Sequence, residues 1–128
     1  MEISSKTLSI MFIDLVGYTK KTVELNRLEF NKLHDNFDNL VLSTIKNYSG
    51  NVVKKIGDAF LITFDSPTDA VICGKMLQIN FQKHNKLNKK KDPLLIRIAL
   101  DHGEVIVREK DVYGDPVNIA ARIEGNTP

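Results

Sequence analysis

The sequence contains one cysteine and no tryptophan in 128 residues. Cys73 alone cannot close an intramolecular disulfide, which excludes a stapled secreted scaffold and leads us to expect a reducing compartment. Long apolar runs are missing too. None exceeds four residues, as in Ile10-Met11-Phe12-Ile13, against the roughly 20 that a membrane-spanning helix needs. Charge of one sign is not in excess either: 18 Lys and Arg face 16 Asp and Glu, a net charge of +2. With 42% hydrophobic and 27% charged residues, the chain is neither a disordered tail nor a basic nucleic-acid arm. Met1 is followed by Glu2 and a polar stretch rather than by a signal peptide's basic and apolar regions. No repeat, low-complexity block or Pro/Gly-rich linker divides the sequence, and neither a Walker A loop nor a Gly-x-Gly-x-x-Gly fingerprint occurs. One soluble, cytoplasmic domain spanning residues 1–128 is expected.

Thr7 to Leu15 reads as a buried strand. Gly17-Tyr18-Thr19 opens a long helical region in which Phe30, Leu33, Phe37, Leu40 and Val41 line one face. Ser49-Gly50-Asn51 stops it, with Gly50 suited to the left-handed position past a helix end. Asn51 to Ile56 and Ala59 to Phe64 are short strands around Gly57-Asp58, a hairpin signal. Ser66-Pro67 reads as an N-cap and first helical residue, with Ala70, Val71, Gly74, Leu77 and Phe81 as the inward stripe. Leu94 to Leu100 and Glu104 to Val107 read as strands separated by a turn at Asp101-His102-Gly103, and Pro116 to Glu124 as a helix. This order implies an α+β fold, a ferredoxin-like, palm-type antiparallel sheet with helices on one face.

In that topology the end of the first strand lies beside the tip of the central hairpin, so Asp14 and Asp58 become neighbours despite their separation in sequence. Two close carboxylates repel one another unless a cation joins them, and Mg²⁺ takes one or two carboxylates together with phosphate oxygens. Taken singly, Asp14 could cap the following helix and Asp58 could fill a turn. Lys83, Lys86, Lys89, Lys90 and Lys91 cluster at a helix end and loop. There they complement the helix dipole, with an anionic membrane or an acidic partner as the other reading. His34, His84 and His102 lack metal-ligand spacing, and Cys73 falls on an inward helix face.

Three segments are more specific. Phe12-Ile13-Asp14-Leu15-Val16-Gly17-Tyr18-Thr19, Lys54-Lys55-Ile56-Gly57-Asp58 and Asp111-Val112-Tyr113-Gly114-Asp115-Pro116-Val117-Asn118-Ile119-Ala120-Ala121-Arg122 resemble, in order, three motifs of class III nucleotidyl cyclases. The resemblance, closest to the adenylate cyclase type, runs from Ser9 onward. It implies that Asp14 and Asp58 hold two Mg²⁺ or Mn²⁺ ions, with the Leu15 carbonyl as a further ligand. Backbone N–H groups at Tyr18 and Thr19 would face the β- and γ-phosphates, as a helix N-terminus favours. Lys54 and Asp111 match the pair that reads adenine. Lysine donates to N1 and aspartate accepts from the N6 amino group, whereas guanine reverses both demands. Family spacing selects Lys54 over Lys55, and strand alternation sends these two to opposite faces. Asn118 and Arg122, one helical turn apart, would orient the ribose and stabilise charge at the α-phosphate.

The implied function is conversion of ATP to 3′,5′-cyclic AMP and pyrophosphate in a homodimer with shared active sites. A non-catalytic cyclase-like module that binds nucleotide or a partner is the rival reading, opposed by the intact set of Asp14, Asp58, Lys54, Asp111, Asn118 and Arg122. A diguanylate cyclase is opposed by the hairpin sequence. A nucleic-acid module is opposed by the small net charge and the want of an aromatic stacking platform. Class III catalytic domains continue past the Asn–Arg helix, so the resemblance also implies a domain lacking its C-terminal portion.

Overall fold

The computed structural model describes residues 3–16, 26–88 and 93–126, the last five of these by backbone alone. Its elements are β1 (Ile3–Leu15), α1 (Arg27–Lys46), β2 (Asn51–Ile56), β3 (Ala59–Phe64), α2 (Pro67–Leu87), β4 (Ile96–Arg108), β5 (Asp111–Tyr113) and α3 (Asp115–Asn126). The strands form one sheet in the order β2-β3-β1-β4-β5, every neighbouring pair antiparallel. The first four strands keep the ferredoxin-like order, and β5 is appended at one edge. The α+β, palm-type antiparallel sheet expected from the order of elements is the fold observed. Among the described residues no helix is long and apolar enough to cross a membrane.

The apolar run in β1 is explained by cover on both faces of the sheet. Met11, Ile13 and Leu15 pack with Phe37, Val41 and Ile45 of α1 and with Cys73, Leu77 and Phe81 of α2. Leu8, Ile10 and Phe12 point the other way, against Leu61, Val105, Val112 and Ala120 of α3. The expectation of helices on one face therefore holds for α1 and α2 and fails for α3. A central strand buried at every position from Leu8 to Leu15 needs a second layer. Within α2, Val71 is 62% exposed, and Cys73 takes the inward place given to it. Burial pushes the Cys73 thiol up to about 11, which keeps it protonated and inert.

Capping is as read at α2, where the Ser66 side chain accepts from the Asp69 N–H at 3.2 Å. At α1 the cap is Asn26, which accepts from the Glu29 N–H at 2.9 Å while its own amide donates to the Glu29 carboxylate at 3.0 Å. The helical onset expected at Gly17 to Thr19 lies outside the described residues.

Two glycines serve close packing rather than the turns expected of them. Ser49, with φ 58°, takes the left-handed turn after α1. Gly50 is instead a packing position, since a Cβ there would sit 2.5 Å from Ile45 Cγ2 and 2.8 Å from Phe64 Cε2. The turn expected at Asp101-His102-Gly103 does not exist. β4 runs unbroken through it, paired with β1 from Leu15↔Ile96 to Ile3↔Arg108. Gly103 is small because a Cβ would come within 2.8 Å of Pro116 Cγ, so it seats the start of α3 on the sheet. The turn lies further on, at Glu109 and Lys110 (φ 52° and 65°), and leads into β5, a strand the sequence reading did not contain.

Candidate active site

Asp14 is the next-to-last residue of β1 and by alternation shares the α3-facing side with Phe12. It lies opposite Ala59, so Asp58 follows at the tip of the β2–β3 hairpin, as the topology predicted. That hairpin turns on Gly57, whose φ of 60° at the first turn position is the type II′ pattern that glycine supplies. The Asp58 carboxyl is pushed above the usual carboxylate range, first by burial and further by the charge of Asp14. A backbone hydrogen bond, His34 and Arg97 oppose that shift. The pair thus carries the repulsion that a divalent cation relieves.

Arg97 is the residue that sequence reasoning missed. It faces Asp14 across the β1–β4 ladder and donates to it twice, Nε to Oδ1 at 3.1 Å and a terminal nitrogen to Oδ2 at 2.8 Å. Asp14 is 6% exposed, so this fork is what allows a carboxylate to be buried there. The strand that carries Arg97 is pinned at its start. Asn85 of α2 accepts from the Leu94 N–H at 2.8 Å and donates to the Leu94 carbonyl at 2.9 Å.

Among the described residues no group of three or more His, Cys, Asp or Glu is gathered that could hold a metal ion. Two carboxylates are nevertheless the donor set Mg²⁺ takes when a nucleotide brings its own phosphate oxygens. Leu15 buries its side chain in the α1–α2 layer, so only its backbone can face such an ion.

Lys54 and Lys55 divide between the two faces as alternation requires. Lys55 donates to Asp38 of α1 at 2.7 Å. Lys54 donates to Asp111 at 2.8 Å, although β2 and β5 are opposite edges of the sheet. The sheet therefore curls over its α3-facing side until its two edges meet. The hydrogen bond from Lys54 is the first cause holding the Asp111 carboxyl below the usual range, and Asp111 Oδ1 also accepts from the Val112 N–H at 2.8 Å. Asp111 is thus a fixed, ionised acceptor. A groove of about 590 Å³ is lined by Leu8, Val53, Val107 and Val112, with Lys6 and Lys110 among its polar residues.

Asn118 is exposed on α3, where its N–H donates to the Gly114 carbonyl at 3.1 Å. Gly114, with φ 135°, makes the bend from β5 into that helix. Arg122 lies one turn further along α3, and its side chain is outside the described residues, as are Tyr18 and Thr19. One chain therefore holds two separate polar groups: Asp14 with Asp58 and Arg97, and Lys54 with Asp111.

Comparison with known proteins agrees with this geometry. The adenylate and guanylate cyclase catalytic domain family matches residues 2–127. The serine/threonine-protein kinase pkn2 of Myxococcus xanthus is 31% identical over 95% of this chain and 15% of its own length. Putative adenylate cyclase 3 of Rhizobium meliloti is 28% identical over 91% of this chain and 20% of its own. The chain thus spans a fifth or less of these two curated relatives. Among solved structures, the guanylyl cyclase Cya2 superposes with a TM-score of 0.88 at 28% identity, over 100% of this chain and 74% of that one. With a match over nearly its whole length and the carboxylate hairpin in place, the chain belongs to the family of adenylate and guanylate cyclase catalytic domains.

Proposed function

We propose that this domain converts ATP to 3′,5′-cyclic AMP and pyrophosphate, at active sites shared between two copies of the chain. The observation that carries the choice of ATP is the Lys54–Asp111 pair, held at 2.8 Å. The ammonium has three donors and each carboxylate oxygen two lone pairs. Both can keep their mutual bond and still serve a base, Lys54 donating to N1 and Asp111 accepting from N6. Guanine would set a donor against the lysine and an acceptor against the aspartate. Names of relatives do not decide this point, since guanylyl and adenylyl cyclases both superpose on the chain.

Asp14 and Asp58 would hold two Mg²⁺ or Mn²⁺ ions, helped by the Leu15 carbonyl. Bound there, they would acidify the ribose 3′-hydroxyl and neutralise the departing pyrophosphate. Arg97 then has a second task. Arg97, which donates to Asp14, would also be placed to donate to phosphate oxygens brought to the same carboxylates. Asn118 positions the ribose, and Arg122 meets the charge that grows at the α-phosphate as the 3′-oxygen bonds to phosphorus. The bond from the α-phosphorus to the bridging oxygen breaks, and the hydroxyl proton leaves to solvent. Backbone donors at Tyr18 and Thr19 would receive the β- and γ-phosphates. No covalent enzyme intermediate is needed, so the rate rests on positioning and charge.

Two copies related by a twofold axis can set the carboxylate group of one against the base-reading group of the other, which gives two equivalent sites. The direct test is product identity. Purified protein given ATP with Mg²⁺ or Mn²⁺ should release cyclic AMP and pyrophosphate in equal amounts. Nucleotide binding without either product would instead identify a non-catalytic module.

A further inference from the structure

The outward face of α2 plays no part in the proposed chemistry, and the helix carries no acidic residue after Asp69. Val71, Lys75, Ile79, Lys83 and Leu87 follow one another every fourth residue, with Ile72 and Lys86 beside them. Val71 is 62% exposed, Ile72 43% and Leu87 85%, and Lys75, Lys83 and Lys86 are exposed as well. Asn85 ties the end of α2 to Leu94, which brings Leu95, 53% exposed, to the same end of the helix.

No acidic residue occurs between Asp69 and Asp92, while six of the chain's 18 basic residues do. Residues 70–88 therefore carry a formal +3 with no acidic residue among them, while Lys89, Lys90 and Lys91 lie outside the described residues. Dipole complementation accounts for Lys86 in the last turn of α2. It does not account for Lys75 near the middle of the helix, or for aliphatic side chains alternating with the lysines. No ion pair forms at Lys75, Lys83 or Lys86 among the described residues.

We infer that this face docks on an anionic phospholipid surface. Lysines on flexible stems meet the headgroups without fixed partners, and Val71, Ile72 and Leu87 enter the boundary beneath them. A nucleic acid would make no use of the aliphatic residues, and the face has neither the arginines nor the aromatic rings that serve phosphate forks and base stacking. An acidic protein would favour fixed forks over isolated ammonium groups. The placement also suits the fold. α2 packs on the side of the sheet opposite α3, so docking through it leaves the Asp14 and Asp111 side open to substrate and to a second copy.

Vesicle sedimentation tests this. The protein should bind phosphatidylcholine vesicles containing about one third phosphatidylserine, bind pure phosphatidylcholine far less, and be released by salt. Each lysine near such a surface strengthens partition roughly fivefold, so combining Lys75→Gln, Lys83→Gln and Lys86→Gln should weaken it about a hundredfold. Val71→Ser with Ile72→Ser should weaken it while leaving the salt dependence in place. All five positions are exposed, and unchanged circular dichroism would confirm folding of each variant. Equal binding to neutral and anionic vesicles would overturn the inference. So would a triple-lysine variant that partitions like the parent, or binding to polyglutamate or RNA without binding to anionic vesicles.

Discussion

Replacing Asp58 by Asn should lower cyclic AMP formation by about a thousandfold or more, the loss of several kcal/mol of transition-state charge stabilisation. It should do so without loosening the fold. Asn suits the turn at Gly57-Asp58 as well as Asp does, so the hairpin keeps its shape. The sign of the stability change follows from the direction of the Asp58 shift. Burial and the neighbouring Asp14 raise its carboxyl above the range it would have unfolded. A carboxyl raised on folding binds its proton more tightly in the native state, so deprotonation opposes folding. That penalty is absent below the unfolded range and is fully present once pH has risen past the folded one. At neutral pH a neutral side chain at position 58 should therefore leave the melting temperature equal or slightly higher. Lost activity with an unchanged or raised melting temperature is the expected pair of results. Activity that survives the substitution would remove Asp58 from the metal site.

The second large effect is a change of base. Lys54→Glu combined with Asp111→Cys presents an acceptor toward N1 and a weak donor toward the 6-position, the complement of guanine. Sites built to hydrogen-bond a substrate reject an analogue that leaves those bonds unmade by about 10⁴ or more. The ratio of kcat/KM for GTP over ATP should accordingly rise by about two to four orders of magnitude. Either single replacement should mainly damage activity. The first would set two carboxylates against one another across the 2.8 Å contact, and the second would strand the Lys54 ammonium. An ATP preference unchanged in the double variant would contradict the adenine reading.

Local signals carried much of this molecule. Gly57-Asp58 between two β-rich segments, Ser66-Pro67 before an apolar stripe, and the alternation of Lys54 and Lys55 each state their own structure, because a turn, a cap and a strand face depend on near neighbours. What was not legible depends on register. Arg97 is an ordinary strand arginine until the β1–β4 ladder sets it opposite Asp14. Asp101-His102-Gly103 has turn chemistry, yet pairing with β1 overrides it, and Gly103 answers to Pro116 on another element. The meeting of Lys54 and Asp111 needs the curl of the whole sheet, a property no segment contains. Motif resemblance singled out both residues because a family pattern already encodes the curl that puts them in contact.

Mixing two inactive variants tests the shared site most directly. On the proposed assignment, Asp58→Asn would spoil the carboxylate group and Arg122→Ala the contact to the α-phosphate, each in both sites of its own homodimer. Co-refolded or co-expressed in equal amounts, half of the dimers are mixed, and each of those carries one site with both contributions intact. Activity should return to about one quarter of that of the unmodified protein. A mixture as inactive as its two components would contradict a site built from two chains.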